Sequence, residues 1–175
     1  MNYILFDGAV RTQLLPFTYT RPVADIRVGI LTIREKWEKF LNTTTSTITE
    51  DYLSEKWPMV EMEENIMINA AFLPTAELVE QIKNLQPGEG IFHNEDVVAF
   101  HAYEEQEIDF QECTNIEMEG KAMLVEHTWD IFRLNGEAIA ADYEFLTQDR
   151  KSQKLSPTNQ VIGAENVFLE EGAKV

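Results

Sequence analysis

The segment YILFDG, residues 3–8, joins a short apolar run to a glycine turn. A buried strand that ends in such a turn at the start of a domain is typical of α/β folds. The polar stretch that follows, residues 9–26, contains Pro16 and Pro22 and is predicted to be a long ordered loop. Loops of this length inside a compact domain are more often functional than idle. We therefore expect a functional loop directly after the first strand.

Apolar patterns further along the chain predict the other elements of an α/β domain. Helical spacing predicts helices over residues 28–41, 51–57, 74–85 and 137–146, with Thr128 capping a turn over 129–132. Strands are predicted at 43–49, 65–69, 116–118 and 122–125, with 90–93 and 97–102 paired as a hairpin. We expect a mixed, mostly parallel sheet with helices against it, and the acidic runs at 104–112 and 117–119 on a solvated face.

The charge of the chain is unevenly distributed. The 175 residues include 14 Lys+Arg and 31 Asp+Glu, a net charge of −17. Residues 1–40 hold six basic and four acidic side chains, or +2, whereas residues 41–175 hold eight basic and 27 acidic, or −19. The acidic total argues against nucleic-acid and anionic-membrane partners, because both require a positive surface. The acidic net charge remains compatible with a small anion held by a few arginines near the N-terminus.

Cysteine usage and hydropathy predict where the protein resides. The single cysteine, Cys113, cannot form an internal disulfide, and the sequence has no Cys/His spacing of a metal site. The N-terminus lacks the basic and apolar regions of a secretory signal, and no apolar run approaches the ~18 residues of a membrane span. We expect a cytoplasmic protein in a reducing compartment.

Three arginines surround the predicted glycine loop. Arg11, Arg21 and Arg27 follow Gly8 within one strand–turn–helix sequence. Backbone N–H groups in such a turn can face phosphate oxygens, and arginine binds phosphate in a bidentate manner. Each arginine taken singly is also explained by a surface ion pair, which contributes little to stability. As a set, placed around this loop, they favour a phosphate-binding site.

The last residues show a period of six. Val161, Val167 and Ala173 recur at this spacing, which is the signature of a hexapeptide β-helix. An ordinary C-terminal strand pair is the alternative, because only two repeats are present. We accordingly expect an α/β domain at residues 1–150, a linker at 151–160 and the start of a truncated β-helix at 161–175.

Together these motifs resemble the sugar-1-phosphate nucleotidyltransferases, and most closely a divergent branch similar to N-acetylglucosamine-1-phosphate uridylyltransferase. That family opens with a Gly-x-Gly-Thr-Arg loop, Pro-Leu-Thr, Lys-Pro and a glycine before the next helix. The comparable positions here are Gly8, Arg11, Pro16-Phe17-Thr18, Arg21-Pro22 and Gly29. Residues 19–33, Asn69 within INAAFLPT and the TWDIF segment at 128–132 are similar to the divergent branch.

The resemblance implies a Rossmann-like nucleotidyltransferase domain followed by a left-handed β-helix of the acyltransferase type. It implies transfer of a nucleotidyl group from an NTP to a sugar-1-phosphate with Mg²⁺, and homo-oligomers formed through the β-helix. The residues it assigns to nucleotide and phosphate are Gly8, Arg11, Thr18, Arg21 and Arg27, with Arg11 and Arg21 catalytic.

Several of these residues have a second interpretation. Arg27 either reaches the phosphate pocket or pairs with Asp25. Asn69 either contacts the sugar or closes a local turn, and Asp7 either binds metal or ribose or caps the turn. Asp130 is expected to be a helix-start charge.

The sequence also departs from the family pattern. Val10 stands where the second glycine would be, Arg21 replaces the lysine of Lys-Pro, and the Leu-x-Asp-x-Asp segment that supplies a magnesium ligand is missing. These departures leave open a second interpretation, a non-catalytic nucleotide-sugar-binding or assembly domain attached to a β-helix acyltransferase. Trp129 and Phe132, beside the 128–132 motif, are expected in the core.

Overall fold

A computed structural model describes residues 1–103 and 113–175, so the acidic run at 104–112 lies outside the described residues. Within them, one sheet contains β1 (Asn2–Phe6), β2 (Ser46–Ile48), β3 (Glu64–Asn69), β4 (Glu89–His93), β5 (Asp96–Tyr103) and β6 (Thr114–Glu117). The strand order is β2-β1-β3-β5-β4-β6. Strand β1 is parallel to β2 and β3, and β4 is parallel to β6, whereas β5 is antiparallel to both neighbours. The mixed, mostly parallel sheet is therefore confirmed.

Four α-helices accompany the sheet in the described residues: α1 (Ile33–Leu41), α2 (Asp51–Ser54), α3 (Ala76–Asn84) and α4 (Thr128–Thr147). Alternate residues of β1 and β3 point to opposite faces, as a pleated strand requires. Leu5 and Ile68 enter the large core with residues of α1 and α3, whereas Ile4 and Met67 join a smaller cluster on the other face. Trp37 of α1 is fully buried in the large core.

Helix α1 begins five residues later than predicted. The Thr32 hydroxyl accepts a hydrogen bond from the N–H of Glu35 at 3.2 Å, and the Glu35 carboxylate accepts one from the N–H of Thr32 at 2.7 Å. This capping box fixes the start of the helix. Gly29, at φ +86°, lies so close to α4 that a Cβ there would be 2.6 Å from an Asp142 carboxylate oxygen.

Helix α4 is one continuous helix, so the prediction of a turn at 129–132 and a separate helix at 137–146 was wrong. It runs through Gly136, and His127 rather than Thr128 precedes its first turn. Burial alone would raise the pKa of Asp130. The net effect is a lowered pKa, because the carboxylate accepts hydrogen bonds from the N–H groups of His127 and Glu126 and lies beside the Arg133 guanidinium. The expectation that Asp130 is a helix-start charge is confirmed.

Trp129 and Phe132 lie outside the core, contrary to expectation. Their side chains are 64% and 88% exposed, respectively. The core-facing side of α4 is formed instead by Leu134, Ala138 and their neighbours along the helix. Because successive helical residues are about 100° apart, Trp129 and Phe132 lie on the side opposite Ala138.

The C-terminal residues fold back on the predicted linker. Residues 161–175 contain one short 3₁₀ turn, Ala164–Asn166, and no strand. The N–H of Gln153 donates to the Leu169 carbonyl at 2.9 Å, and its side-chain oxygen accepts from the N–H of Gly172 at 2.8 Å. The β-helix and the domain boundaries stay predictions. The strand predicted at 122–125 is reduced to a single bridge between Leu124 and Phe72.

No helix within the described ranges is long and apolar enough to cross a membrane.

Candidate functional site

The strand order creates a crevice between β1 and β3. The chain leaves β1 towards β2 on one side and leaves β3 towards β4 on the other. In open α/β sheets, ligands bind outside the carboxyl ends of the strands at such a switch point. β1 is followed by Asp7 and Gly8, and β3 ends at Asn69. Three residues predicted from the sequence thus meet at one edge of the sheet.

Gly8 and Asn69 lie against each other there. Gly8 has φ +62° and ψ −177°, a conformation that is essentially restricted to glycine. A Cβ at this position would be 3.1 Å from the Asn69 side-chain oxygen. Asn69 accepts a hydrogen bond from the N–H of Ala71 and donates one to the Val97 carbonyl, both at 3.0 Å. Asn69 therefore closes a local turn, and its contact with sugar stays a prediction.

Arg11 is buried at the centre of the loop. Its guanidinium lies 2.5 Å from Asp7 Oδ2 and 2.5 Å from the Thr18 carbonyl, and donates to the Tyr52 hydroxyl at 2.9 Å. Asp7 Oδ2 also accepts from Thr49, and Oδ1 accepts from the N–H of Val23 at 2.7 Å. The Arg11–Asp7 pair therefore joins β1 to both ends of the 8–23 loop.

Thr18 lies in the interior of the same loop. Its side chain is fully buried, and its hydroxyl donates to the Arg11 carbonyl at 2.8 Å. The Arg11 guanidinium in turn donates to the Thr18 carbonyl, so two hydrogen bonds join Thr18 to Arg11. The predicted phosphate contact of Thr18 is not part of this arrangement.

The other two arginines differ in their surroundings. Arg21 is exposed, and its guanidinium makes no hydrogen bond or ion pair with any residue that the structure describes. Arg27 donates to the Ile30 carbonyl and lies 3.8 Å from Glu35. The suggested pairing of Arg27 with Asp25 is wrong, because Asp25 pairs with Arg34 at 2.9 Å. Arg21 is thus the loop arginine whose charge is available to a ligand.

An open cleft of about 350 Å³ lies where β1 and β2 end. It is lined by Phe6, Asp7, Gly8, Arg11, Ile48, Thr49, Glu50 and Asp51. Arg21 does not line the cleft. It lies only two positions before Val23, whose N–H donates a hydrogen bond to Asp7. Residues 49–52 were missed by sequence reasoning. Their position directly after a strand parallel to β1 was the signal that could have found them.

A second opening lies elsewhere on the surface. It measures about 470 Å³ and is lined by residues of α3, β4 and β6, with Glu77, Glu80 and Glu119 among them. It contains none of the predicted site residues, and it lies away from the Gly8 turn. We place the candidate site at the smaller cleft because Gly8 and Arg11 line it, at the carboxyl ends of β1 and β2.

The carboxylates near the cleft are differently engaged. Among the described residues, no group of three or more His, Cys, Asp or Glu side chains is arranged to hold a metal ion. Both oxygens of Asp7 are already hydrogen-bonded, so it does not fit a metal ligand in this arrangement. Glu50 lies 3.4 Å from the Arg11 Nε, and Asp51 is exposed.

A buried ion pair that the sequence did not reveal holds the segment that follows the loop. Lys36 of α1 and Asp142 of α4 form an ion pair, and both are buried. Asp142 also accepts from the N–H groups of Ile30 and Leu31 at 2.8 and 3.2 Å. Burial lowers the pKa of Lys36 despite the adjacent carboxylate. This pair anchors α4 to the segment between the loop and α1.

Comparison with known proteins identifies the family. The profile described as "Sugar nucleotidyl transferase" matches residues 3–151. The chain is also similar to a crystal structure from Bacillus anthracis, in complex with a sucrose, provisionally assigned as a glucose-1-phosphate thymidylyltransferase. The identity is 11%, the TM-score is 0.47, and the match covers 88% of this chain and 98% of that one. No curated protein matches the sequence significantly. On the family match, which spans most of its length, the chain belongs to the sugar nucleotidyl transferases.

Proposed function

We propose that the protein transfers a nucleotidyl group from an NTP to a sugar-1-phosphate, giving a nucleotide sugar and pyrophosphate. A phosphate oxygen of the sugar-1-phosphate attacks the α-phosphorus of the NTP. The bond from that phosphorus to the oxygen bridging to the β-phosphate breaks, and pyrophosphate leaves with the electron pair. Such transfer depends mainly on positioning and on neutralising phosphate charge. The observation that carries the proposal is the cleft beside the Gly8 turn, at the carboxyl ends of β1 and β2.

Gly8 suits this cleft for a physical reason. With no Cβ, it adopts its positive-φ conformation without strain and lets the Asn69 side chain pack closely against it. A 3₁₀ turn, Ala9–Thr12, follows Gly8 directly. Turns of this kind form anion-binding concavities.

The two arginines have separate roles in this proposal. Arg21, whose guanidinium is exposed and unengaged within the described structure, supplies positive charge to the triphosphate and pyrophosphate. Arg11 acts as a positioning residue that keeps the loop in shape through Asp7 and Thr18. A direct contact of Arg11 with phosphate stays a prediction, because it requires the guanidinium to leave Asp7.

Sugar nucleotidyltransferases commonly use Mg²⁺, and the cleft offers ligands of the right kind. Mg²⁺ is typically held by one or two protein carboxylates together with substrate phosphates and water. The carboxylates of Glu50 and Asp51 line the cleft, and that of Asp51 has no hydrogen-bond or ion-pair partner among the described residues. We propose these two, rather than Asp7, as the groups that hold a Mg²⁺ entering with the nucleotide. The ion would supply neutralising charge at the phosphates.

The hydrogen bonding of Arg11 also favours a second candidate function. Its donors are directed to Asp7, Thr18 and Tyr52, so Arg11 holds the loop through contacts within the chain. A domain that binds nucleotide sugars without turning them over, or that serves assembly beside a β-helix acyltransferase, would have the same arrangement. Binding and turnover must therefore be measured separately.

Replacing Arg21 by alanine is expected to lower kcat/KM for pyrophosphate release about 10–100-fold, because a hydrogen bond to a charged group contributes about 1.5–3 kcal/mol. Release is measured with a panel of NTPs and sugar-1-phosphates in the presence of Mg²⁺. Arg150→Ala is the matched control, since Arg150 is an exposed arginine paired with Glu170 near the C-terminus. It should keep the parental rate.

Calorimetric titration with NTPs and nucleotide sugars separates the two candidates. Tight binding without pyrophosphate release would favour the non-catalytic domain. Neither binding nor release with any member of the panel would contradict both candidates. Equal rates for Arg21→Ala and Arg150→Ala would remove Arg21 from the site.

A further inference from the structure

The candidate cleft opens where the backbone pairing of β1 and β2 ends. The last pair in register is Phe6 with Ile48, and the ladder between the two strands stops there. Residues 6–8 and 11 of one segment and residues 48–51 of the other line the cleft together. Side-chain contacts beyond the ladder therefore set how these two segments lie relative to each other.

Thr49 links the two segments at the first position beyond that pair. Its hydroxyl donates to Asp7 Oδ2 at 2.6 Å and accepts from Arg11 Nη1 at 3.3 Å. Because Asp7 and Thr49 directly follow the last pair of the ladder, their hydrogen bond continues the register through side chains. A hydroxyl has a single proton to donate, and here the carboxylate receives it. The Thr49 side chain is thus fixed to the loop and forms part of the wall of the cleft.

Tyr52 anchors the far end of the same turn. Its hydroxyl accepts a hydrogen bond from Arg11 Nη2 at 2.9 Å and lies 3.5 Å from the Thr18 carbonyl oxygen. The Arg11 side chain is only 10% exposed and is paired with Asp7, so it is a fixed point for the contacts it makes. Hydrogen bonds with an ionised donor are about twice as strong as those between neutral groups. One buried guanidinium thereby holds residues 49 and 52.

The two residues between these anchors carry carboxylates that remain exposed. The Glu50 side chain is 55% exposed and lies 3.4 Å from Arg11 Nε, whereas the Asp51 carboxylate has no hydrogen bond or ion pair with a described residue. Both are the proposed ligands of the Mg²⁺ that enters with the nucleotide. Since the turn is held at positions 49 and 52, its backbone keeps the two carboxylates at the cleft.

We propose that Thr49 and Tyr52 are positioning residues, which hold the two carboxylates between them in place for the divalent cation of the metal–nucleotide complex. The inference rests on the proposed function and adds which side chains set the geometry of the turn that meets the metal. Neither hydroxyl needs to contact the cation or the phosphates. Groups that are already held in place lose less conformational freedom on binding, so the two hydroxyls raise the affinity for the metal-bound nucleotide.

Calorimetric titration of the full chain with each NTP of the panel, in Mg²⁺ and separately in EDTA, tests the proposal without relying on turnover. Thr49→Val and Tyr52→Phe each remove one hydroxyl and retain most of the side chain. In Mg²⁺, each is expected to raise the nucleotide dissociation constant about three- to tenfold, the usual effect of losing one hydrogen bond. In EDTA, both variants should match the parent, because the carboxylates then have no cation to bind.

Two controls separate positioning from a general loss of structure. Thr49→Ser keeps the hydroxyl and should recover the parental dissociation constant. Thr47→Val removes a buried hydroxyl of β2 that accepts from Arg34 Nη2 of α1 at 2.5 Å, and Thr47 does not line the cleft. This variant should bind nucleotide with the parental affinity, whatever its effect on the urea unfolding midpoint. Midpoints of all four variants are measured without nucleotide.

The proposed function and the positioning role have different contradicting results. A parent that binds no NTP in Mg²⁺ would contradict both. If the parent binds, parental affinity of Thr49→Val or of Tyr52→Phe would overturn the positioning role of that residue alone. A rise in the dissociation constant that persists in EDTA, that Thr49→Ser does not reverse, or that Thr47→Val shows equally would indicate an altered fold and would likewise overturn the positioning role.

Discussion

Arg11→Ala is expected to destabilise the protein by about 3–5 kcal/mol, the usual cost of removing one partner of a buried ion pair. The Arg11 and Asp7 side chains are only 10% and 7% exposed. Without the guanidinium, the Asp7 carboxylate is left without its cation, and the Thr18 carbonyl and Tyr52 hydroxyl lose a donor. Urea unfolding monitored by tryptophan fluorescence measures the change in the free energy of unfolding.

Arg21→Ala is the matched control for this prediction. Arg21 is an arginine of the same loop without a contact in the described structure, so its removal should change stability by less than about 0.5 kcal/mol. The two variants together separate the two proposed roles, since one should lose stability and the other activity. An unfolding midpoint for Arg11→Ala equal to that of Arg21→Ala would contradict the structural role of Arg11.

Asp142→Ala is expected to cost a similar amount, about 3–5 kcal/mol, for a related reason. The substitution leaves the Lys36 ammonium buried without its partner. It also removes the acceptor of the N–H groups of Ile30 and Leu31, which connect α4 to the segment before α1. Urea unfolding again measures the free energy of unfolding, and we expect a lower midpoint because these contacts are lost.

Two further variants make this prediction specific to the ion pair. Glu144→Ala removes an exposed carboxylate from the same helix and should change stability by less than about 0.5 kcal/mol. The double variant Lys36→Met/Asp142→Leu removes both charges and should recover much of the loss, because apolar pairs often replace buried ion pairs without net cost. A double variant as unstable as Asp142→Ala would show that the backbone hydrogen bonds, not the unpaired charge, dominate.

The strands and α3 could be predicted because their apolar residues follow simple periods. The hairpin of β4 and β5 was found from alternation, and Thr75 does cap α3 as its sequence suggests. Helix α1 was placed too early, although the Thr32–Glu35 capping box is readable in the sequence. Helix α4 was predicted as a turn and a separate helix, whereas it continues through Gly136, which lies exposed within it.

The candidate site could be predicted only in part. The Gly8 turn was recognisable from its position after an apolar strand, and its conformation bears out a need for glycine. The engagement of Arg11 was not recognisable, because Thr49 and Tyr52 are 38 and 41 positions away in sequence. The partner of Lys36 was hidden for the same reason, because Asp142 is 106 positions away in sequence. Spacing along the chain identifies candidate charges, and only the fold shows which of them are already paired.

An NMR titration of the ¹⁵N-labelled chain with Mg²⁺ and NTPs shows where the nucleotide binds. We expect saturable shifts in the backbone signals of Gly8, Thr49, Glu50 and Asp51, which line the cleft beside β1 and β2. Shifts confined to Glu77, Gln81 and Glu119 at the other opening would contradict it, as would no shift with any nucleotide.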